Sequence, residues 1–363
     1  MFAARLKQAR EAAGLSMEKL AKEVGVSANA IKKYEHGLNM PTSDKLLKRA
    51  RALGVRSEYF FRPFSVELEN VEYRKHSRTP AKLLKQIDGD VKEQAERWIE
   101  LLNFYPDTIK PVPSFVLPDG LPDRIETPGE IEAIAKLMRD KWELGQNPIP
   151  DMIDTLESKG IMIITTAKAE NKSFDGLAGK ANRIPLIVIS SHQPGDRQRF
   201  TLAHELAHLV LHDRLNGMDE EKACNHFAGA FLFPKQAVIQ HMGAKRHAVE
   251  TRELYLLKHE FGISMMAILV RLGQCGVISD HLQRTYYMQF NKLRWRTQEP
   301  GETYPNESTI LFKQLVYRAL AEDYISESKA AELLGMSLSS FHDERKLEKL
   351  KDAGEIGAAT INQ

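Results

Sequence analysis

Apolar residues return at helical spacing from Ala3 to Ala13, and the run stops at Gly14, a natural helix end. The next 41 positions, LSMEKLAKEVGVSANAIKKYEHGLNMPTSDKLLKRARALGV, hold three more short helical patterns. Leu20, Ala21 and Val24 share one face of a helix that Ser16 opens and Gly25 closes. Lys19, not Glu, stands three residues after Ser16, so the expected cap is a lone N-cap without a full capping box. Ile31 and Tyr34 face inward on a helix capped by Ser27. Leu46, Leu47 and Ala50 are expected on the inner face of a helix starting at Pro41-Thr42-Ser43. Two helices of roughly eight to ten residues around a glycine turn form a helix-turn-helix.

Further on, Leu84, Ile87, Val91, Ala95, Trp98 and Leu102 lie close to one helical stripe that Gly89 weakens. Five prolines between Pro106 and Pro122 then predict a loop or linker. From Glu126 the pattern becomes α+β. Thr127-Pro128 opens a helix, and Pro148–Lys159 reads as a second helix ended by Gly160. IMIITT (161–166) and PLIVIS (185–190) have the length and branched residues of strands. FDGLAG between them predicts a turn into an edge strand. Phe200–His212 and Lys222–Phe233 are strongly apolar and helical, and the pattern after Gln240 is mainly helical with a break at 298–307. LLKHEFGISMMAILVRLGQCGVI (256–278) and YISESKAAELLGMS (324–337) each have a helix–short turn–helix rhythm and read as packing elements, a platform for a partner or for self-association. ERKLEKLKD (344–352) reads as a solvated helix face and the last ten residues as disordered. No internal repeat of fixed period is visible.

A chain of 363 residues is long enough for two or three cores. The 42% hydrophobic and 28% charged fractions exclude a disordered or fibrous chain. No apolar run approaches a membrane span, the N-terminus lacks the apolar centre of a secretory signal, and two cysteines are too few for a disulfide framework. A cytoplasmic protein with no membrane partner is expected. The net charge of +2 hides an asymmetry: residues 1–63 hold 13 Lys+Arg against 6 Asp+Glu, and the remainder is acidic. Basic charge gathered at one end predicts a nucleic-acid-binding module joined to something else.

The other chemistry lies in His204-Glu205-Leu206-Ala207-His208. On a helix two histidines four apart stand one above the other, able to converge on one Zn²⁺, and Glu205 is rotated by about 100°. From there it reaches water beside the metal without occupying the metal. Downstream, Glu221 is the candidate third ligand, with Glu220 and His226 as competitors. Asn225, one turn after Glu221, is placed to orient a ligand histidine through its second ring nitrogen. Cys224 is expected to pack rather than coordinate.

RQRFTLAHELAHLVLH followed by EKACNHFAGAFLFP resembles the ImmA/IrrE family of bacterial zinc metallopeptidases, over roughly residues 125–240. The resemblance implies a gluzincin-like zinc site of His204, His208 and Glu221, with Glu205 as general base. Ala207 stands where many members have glycine. Residues 4–61 resemble an XRE/Cro-type helix-turn-helix, which implies that Ser27–His36 enters the major groove. Ser27, Ala28, Asn29, Lys32 and Lys33 are then the candidate DNA contacts. Ala28 and Met17 are apolar where such modules often carry Gln.

The expected architecture is therefore multidomain: an all-α helix-turn-helix domain (1–63), a helical and Pro-rich linker (64–125), an α+β zinc peptidase domain (126–240) and a mainly helical C-terminal region (241–363). The expected function is a DNA-binding regulator with a fused zinc-dependent peptidase, controlling its own operon in a stress, phage or toxin–antitoxin setting. The alternatives are an active metalloprotease that cleaves a dedicated repressor, and an antitoxin-like protein that masks a toxin without cleaving it. The partners implied are operator DNA, a second copy in a homodimer, and a protein substrate, repressor or toxin. The cofactor implied is one Zn²⁺ per chain, with Mn²⁺ or Fe²⁺ also compatible with His₂Glu.

Overall fold

Ser16 and Ser27 stand in extended backbone with their hydroxyls accepting from the amides of Lys19 and Ala30, and so start α2 (Met17–Val24) and α3 (Ala28–Glu35). Gly25 between them holds φ 70°, the left-handed conformation in which a side chain is strained. With α1 (Phe2–Ala12), α4 (Ser43–Leu53) and a 3₁₀ turn over Ser57–Phe61 they enclose a core of Leu6, Leu20, Ile31, Leu53 and Phe60. One inward position differs from expectation. Leu47 is 49% exposed, and the inner face of α4 instead runs through Leu46, Arg49, Ala50 and Leu53. Arg49 is buried with its guanidinium 4.4 Å from the Tyr34 ring centroid.

The computed structural model describes residues 2–62, 66, 68–69, 80–168 and 174–346. The tail expected to be disordered, and the charged run from 347 on, lie outside the described residues. The chain divides into two compact units, one of residues 1–95 and 112–309, the other of residues 96–111 and 310 onward. Among the described residues no helix is long and apolar enough to cross a membrane.

The larger unit carries a four-stranded sheet in the order β1-β3-β4-β2, made of β1 (Leu68–Glu69), β2 (Met162–Thr166), β3 (Gly176–Ala181) and β4 (Ile184–Ser190). β2 runs parallel to β4, and β3 antiparallel to it. The expected edge strand is thus flanked on both sides. Among the described residues, however, β1 covers only Lys180 and Ala181, so the outer edge of Gly176–Gly179 faces no strand. The segment expected as a linker gives more than a connection: β1 joins the sheet, α5 (Ala81–Phe104) forms through Gly89, and Ile125 enters the core.

α6 (Pro128–Lys141) starts with a Thr127–Glu130 capping box and Pro128 in its first turn. α7 (Met152–Glu157) is shorter than expected, because Pro148 and Pro150 lack donors and Asp151 caps the helix through the Asp154 amide. α8 (Gly195–Leu211) is buried on nearly all sides, as a central helix must be. α9 (Glu220–Leu232), α10 (Lys235–Met242), α11 (Thr251–Phe261), α12 (Met265–Gln274) and α13 (Asp280–Lys292) complete the unit. The boundary expected after Gln240 falls inside a continuous core, which runs through Leu254, Phe261, Ile268 and Phe290.

In the smaller unit, α14 (Leu311–Ala321), α15 (Glu327–Leu333) and α16 (Leu338–Arg345) repeat the beginning of the chain. Ser326, Gly335 and Ser337 lie 310 residues after Ser16, Gly25 and Ser27 and do the same work: both serines cap through the amide three residues on, and Gly335 holds φ 69°. α16 spans the counterpart of α3 end to end. The helix–short turn–helix rhythm read at 324–337 is thus borne out, with Ser326 as a cap and Gly335 in the turn.

Candidate functional site

α8 and α9 bring His204, His208, Glu220, Glu221, Cys224 and Asn225 to one place. The helical turn stacks the two histidines, with their Nε2 atoms 3.1 Å apart. Each ring is oriented through its other nitrogen: His204 Nδ1 lies 3.0 Å from Asn225 Oδ1, and His208 Nδ1 3.0 Å from Glu220 Oε1. Glu221 faces the Nε2 side, its oxygens 3.7 Å from His204 and 3.6 Å from His208. Glu220 and Glu221, rivals in sequence, thus take different stations. The sulfur of Cys224 and a ring nitrogen of each histidine lie within 4.8 Å of one another. These residues fit a divalent metal: two imidazoles with both Nδ1 atoms engaged, and a carboxylate at a spacing close to the ligand–ligand edge of about 3.3 Å that bonds of 2.0–2.1 Å give.

Glu205 is buried on α8 and lines an open cleft of about 2030 Å³ with His208, Glu221 and Asn225. β3 packs closely against it. A Cβ at Gly176 would stand 2.5 Å from Thr201 Cγ2 and 3.2 Å from Glu205 Oε1, so the glycine of FDGLAG lets the strand reach the helix. Arg197 and His212 also line the cleft. Arg197 is tied to Asp175 at 2.7 Å. Arg199 is buried and paired with Glu307, and the hydroxyl of Tyr286 bonds to the backbone of Val249.

His226, considered above as a weaker metal ligand, turns away to Glu132 at 2.9 Å, and Arg271 holds the same carboxylate. Glu132 thereby joins α6 to α9 and α12, with His226 and Arg271 at the cleft wall. Burial pushes its carboxyl up, but hydrogen bonds and charge from His226 and Arg271 outweigh this and hold the pKa at about 2. A depressed folded pKa stabilises above the unfolded value of about 4.3, and the contribution is lost as pH falls toward 2. Glu132→Gln is expected to cost roughly 2–3 kcal/mol at pH 7. It should also flatten the fall in stability between about pH 4 and pH 2. Thermal melts of both proteins across that range check it; identical acid limbs would show that the triad contributes nothing.

A second triad, buried Lys258 between Asp196 (3.1 Å) and Glu299 (2.9 Å), fixes the start of α8 to α11 and to the segment before Thr309. No local sequence signal announces either triad, since their members are far apart along the chain.

At the N-terminal end, α3 exposes Asn29, Lys32 and Lys33. The Ser27 hydroxyl is engaged as the helix cap, and Ala28 is partly buried against the core. Three of the thirteen cations in residues 1–63, Arg5, Arg10 and Arg49, are buried and serve the fold.

Residues 6–60 match a family model described as helix-turn-helix, and residues 156–273 match a peptidase model described as IrrE N-terminal-like domain. The second match includes α11 and most of α12. An uncharacterized transcriptional regulator in the ATPase CF(0) region of Rhodospirillum rubrum is 44% identical over 57 residues, 16% of this chain. The aligned stretch is 53% of that relative, so the chain spans about half its length. Among solved structures, PlcR of Bacillus thuringiensis, in complex with a peptide and DNA, is 14% identical over 100% of this chain and 99% of that one. ComR of Streptococcus suis is 15% identical over 100% and 95%. Both have a TM-score of 0.16, at which the likeness carries no argument.

Proposed function

From the premise that this chain joins a helix-turn-helix domain to an IrrE N-terminal-like peptidase domain, we propose that it is a DNA-binding transcriptional regulator whose peptidase domain hydrolyses a polypeptide with a bound zinc ion. The observation that carries the hydrolytic reading is the meeting of two Nε2 atoms with the Glu221 carboxylate at 3.6–3.7 Å, beside Glu205 in an open cleft.

His204, His208 and Glu221 would hold the ion, and Asn225 and Glu220 fix the rings. When bound, the ion supplies a Lewis acid for the scissile carbonyl and lowers the pKa of adjacent water toward about 7. Glu205 takes the proton of the attacking water and delivers it to the leaving amine nitrogen. The outer edge of Gly176–Gly179 pairs with an extended substrate segment, which lays the scissile bond across the cleft. The presence of Glu205 at this station supports hydrolysis over a role in binding alone. The substrate is best sought by comparing the proteomes of cells carrying the wild type and Glu205→Gln. A protein that disappears only with the wild type supports the reading, and identical proteomes under every inducing condition count against it.

On the DNA side, Lys32 and Lys33 contact phosphate or guanine edges and Asn29 reads a base. One such helix per chain reads one half-site, so a palindromic operator calls for two copies. Lys32→Ala/Lys33→Ala is expected to weaken operator binding at least tenfold and to lower the slope of log K against log salt by about 2. Titrations at several salt concentrations check this; an unchanged slope would move the phosphate contacts elsewhere.

A further inference from the structure

We propose that Cys224 is also a metal ligand, its sulfur approaching from the core side while Glu221 approaches from the cleft side. The inference rests on the reading of α8 and α9 as a metal centre and extends it to the full donor set.

Glu221, Cys224 and Asn225 stand at i, i+3 and i+4 on α9, so all three share one face. The bond of Asn225 to His204 and the approach of Glu221 to both histidines show that this face is turned to the imidazole pair. Cys224, between them, is fully buried, and its sulfur forms a compact group with one ring nitrogen of each histidine, all within 4.8 Å of one another. Metal–nitrogen bonds of 2.0–2.1 Å and metal–sulfur bonds of about 2.3 Å in a tetrahedron separate the two donors by about 3.5 Å. A closure on the order of 1 Å, within the reach of a side-chain rotation, converts the neighbouring thiol into a ligand. Glu205, His208 and Glu221 line the cleft and Cys224 does not, so the sulfur would complete four protein donors from the side away from the cleft, and water would enter from the cleft as a fifth ligand.

On coordination the thiol gives its proton to solvent and the sulfur donates as thiolate. The consequence is selectivity. His₂Glu alone accepts Mn²⁺ or Fe²⁺ as well as Zn²⁺, whereas a thiolate favours softer, thiophilic ions such as Zn²⁺.

The test loads the full-length protein with Co²⁺. The wild type is expected to show a sulfur-to-cobalt charge-transfer band in the near ultraviolet beside the visible cobalt bands. Cys224→Ser and Cys224→Ala are expected to lose that band while still binding cobalt. Their preference for Zn²⁺ over Mn²⁺ in competition should fall about 10–100-fold. A cobalt-loaded wild type without the band, or unchanged ion preference in the variants, overturns the assignment of Cys224 and leaves the His₂Glu reading standing. A wild type that takes up no cobalt overturns both.

Discussion

Glu205→Gln is expected to retain the wild-type complement of metal and to slow peptide hydrolysis by roughly 10²–10⁴-fold, the range that a positioned general base contributes. Glu205 is buried on α8 and reaches the cleft, whereas the two imidazoles meet Glu221 on α9. Gln keeps the length and shape of the side chain, so it fits beside Gly176 as Glu does, but it cannot take a proton from water. Metal content by elemental analysis and cleavage of the substrate found in cells give the two readouts. Full activity in the variant would remove Glu205 from the mechanism; loss of metal along with activity would make it a structural support of the site.

The second large effect is expected far from the cleft. Arg10 grips Glu35 through two contacts of 2.5 and 2.9 Å and also donates to Leu15 O at 2.9 Å, tying α1 to the last residue of α3. The Glu35 side chain is only 2% exposed. Arg10→Ala leaves that carboxylate buried without its partner, at a cost of about 3–5 kcal/mol. That is a large part of the roughly 3–9 kcal/mol that some sixty residues of folded chain carry. Operator binding should therefore collapse on warming even though Asn29, Lys32 and Lys33 are intact. Replacing both partners by apolar residues, Arg10→Met/Glu35→Leu, should recover most of the stability. Thermal unfolding of the three proteins decides it, and a loss below about 1 kcal/mol for Arg10→Ala would show that solvent reaches Glu35 after all.

What could be read from sequence follows a physical rule. Caps and turns are local, so Ser16, Ser27, Gly25 and Thr127 announced their helices, and the stacking of His204 on His208 needed only the helical turn. Contacts made at a distance left no trace. His226 looked like a metal ligand because its partner, Glu132, stands 94 residues away and is shared with Arg271 from a third helix. Leu47 looked like core because an apolar residue at helical spacing normally is, while Arg49 took the inward position by resting on Tyr34. β1 escaped notice because two residues are too few to show alternation, and their strand identity comes from Lys180 and Ala181 across the gap. The β3 approach to Glu205 was invisible for a related reason, since what matters at Gly176 is the side chain it lacks.

The repeat of α1–α3 in α14–α16 bears on how reading heads are counted in a chain like this one. Judged by cap positions and the left-handed glycine, the protein carries the same frame at both ends. Judged by what the frame displays, the two are different objects. α3 exposes Asn29, Lys32 and Lys33; α16 exposes Ser339, Ser340, His342 and Asp343, and its His342 and Arg345 are spent on Glu327. A census by backbone finds two such frames, a census by charge finds one that presents cations, and the difference lies in side chains that the frame tolerates without using.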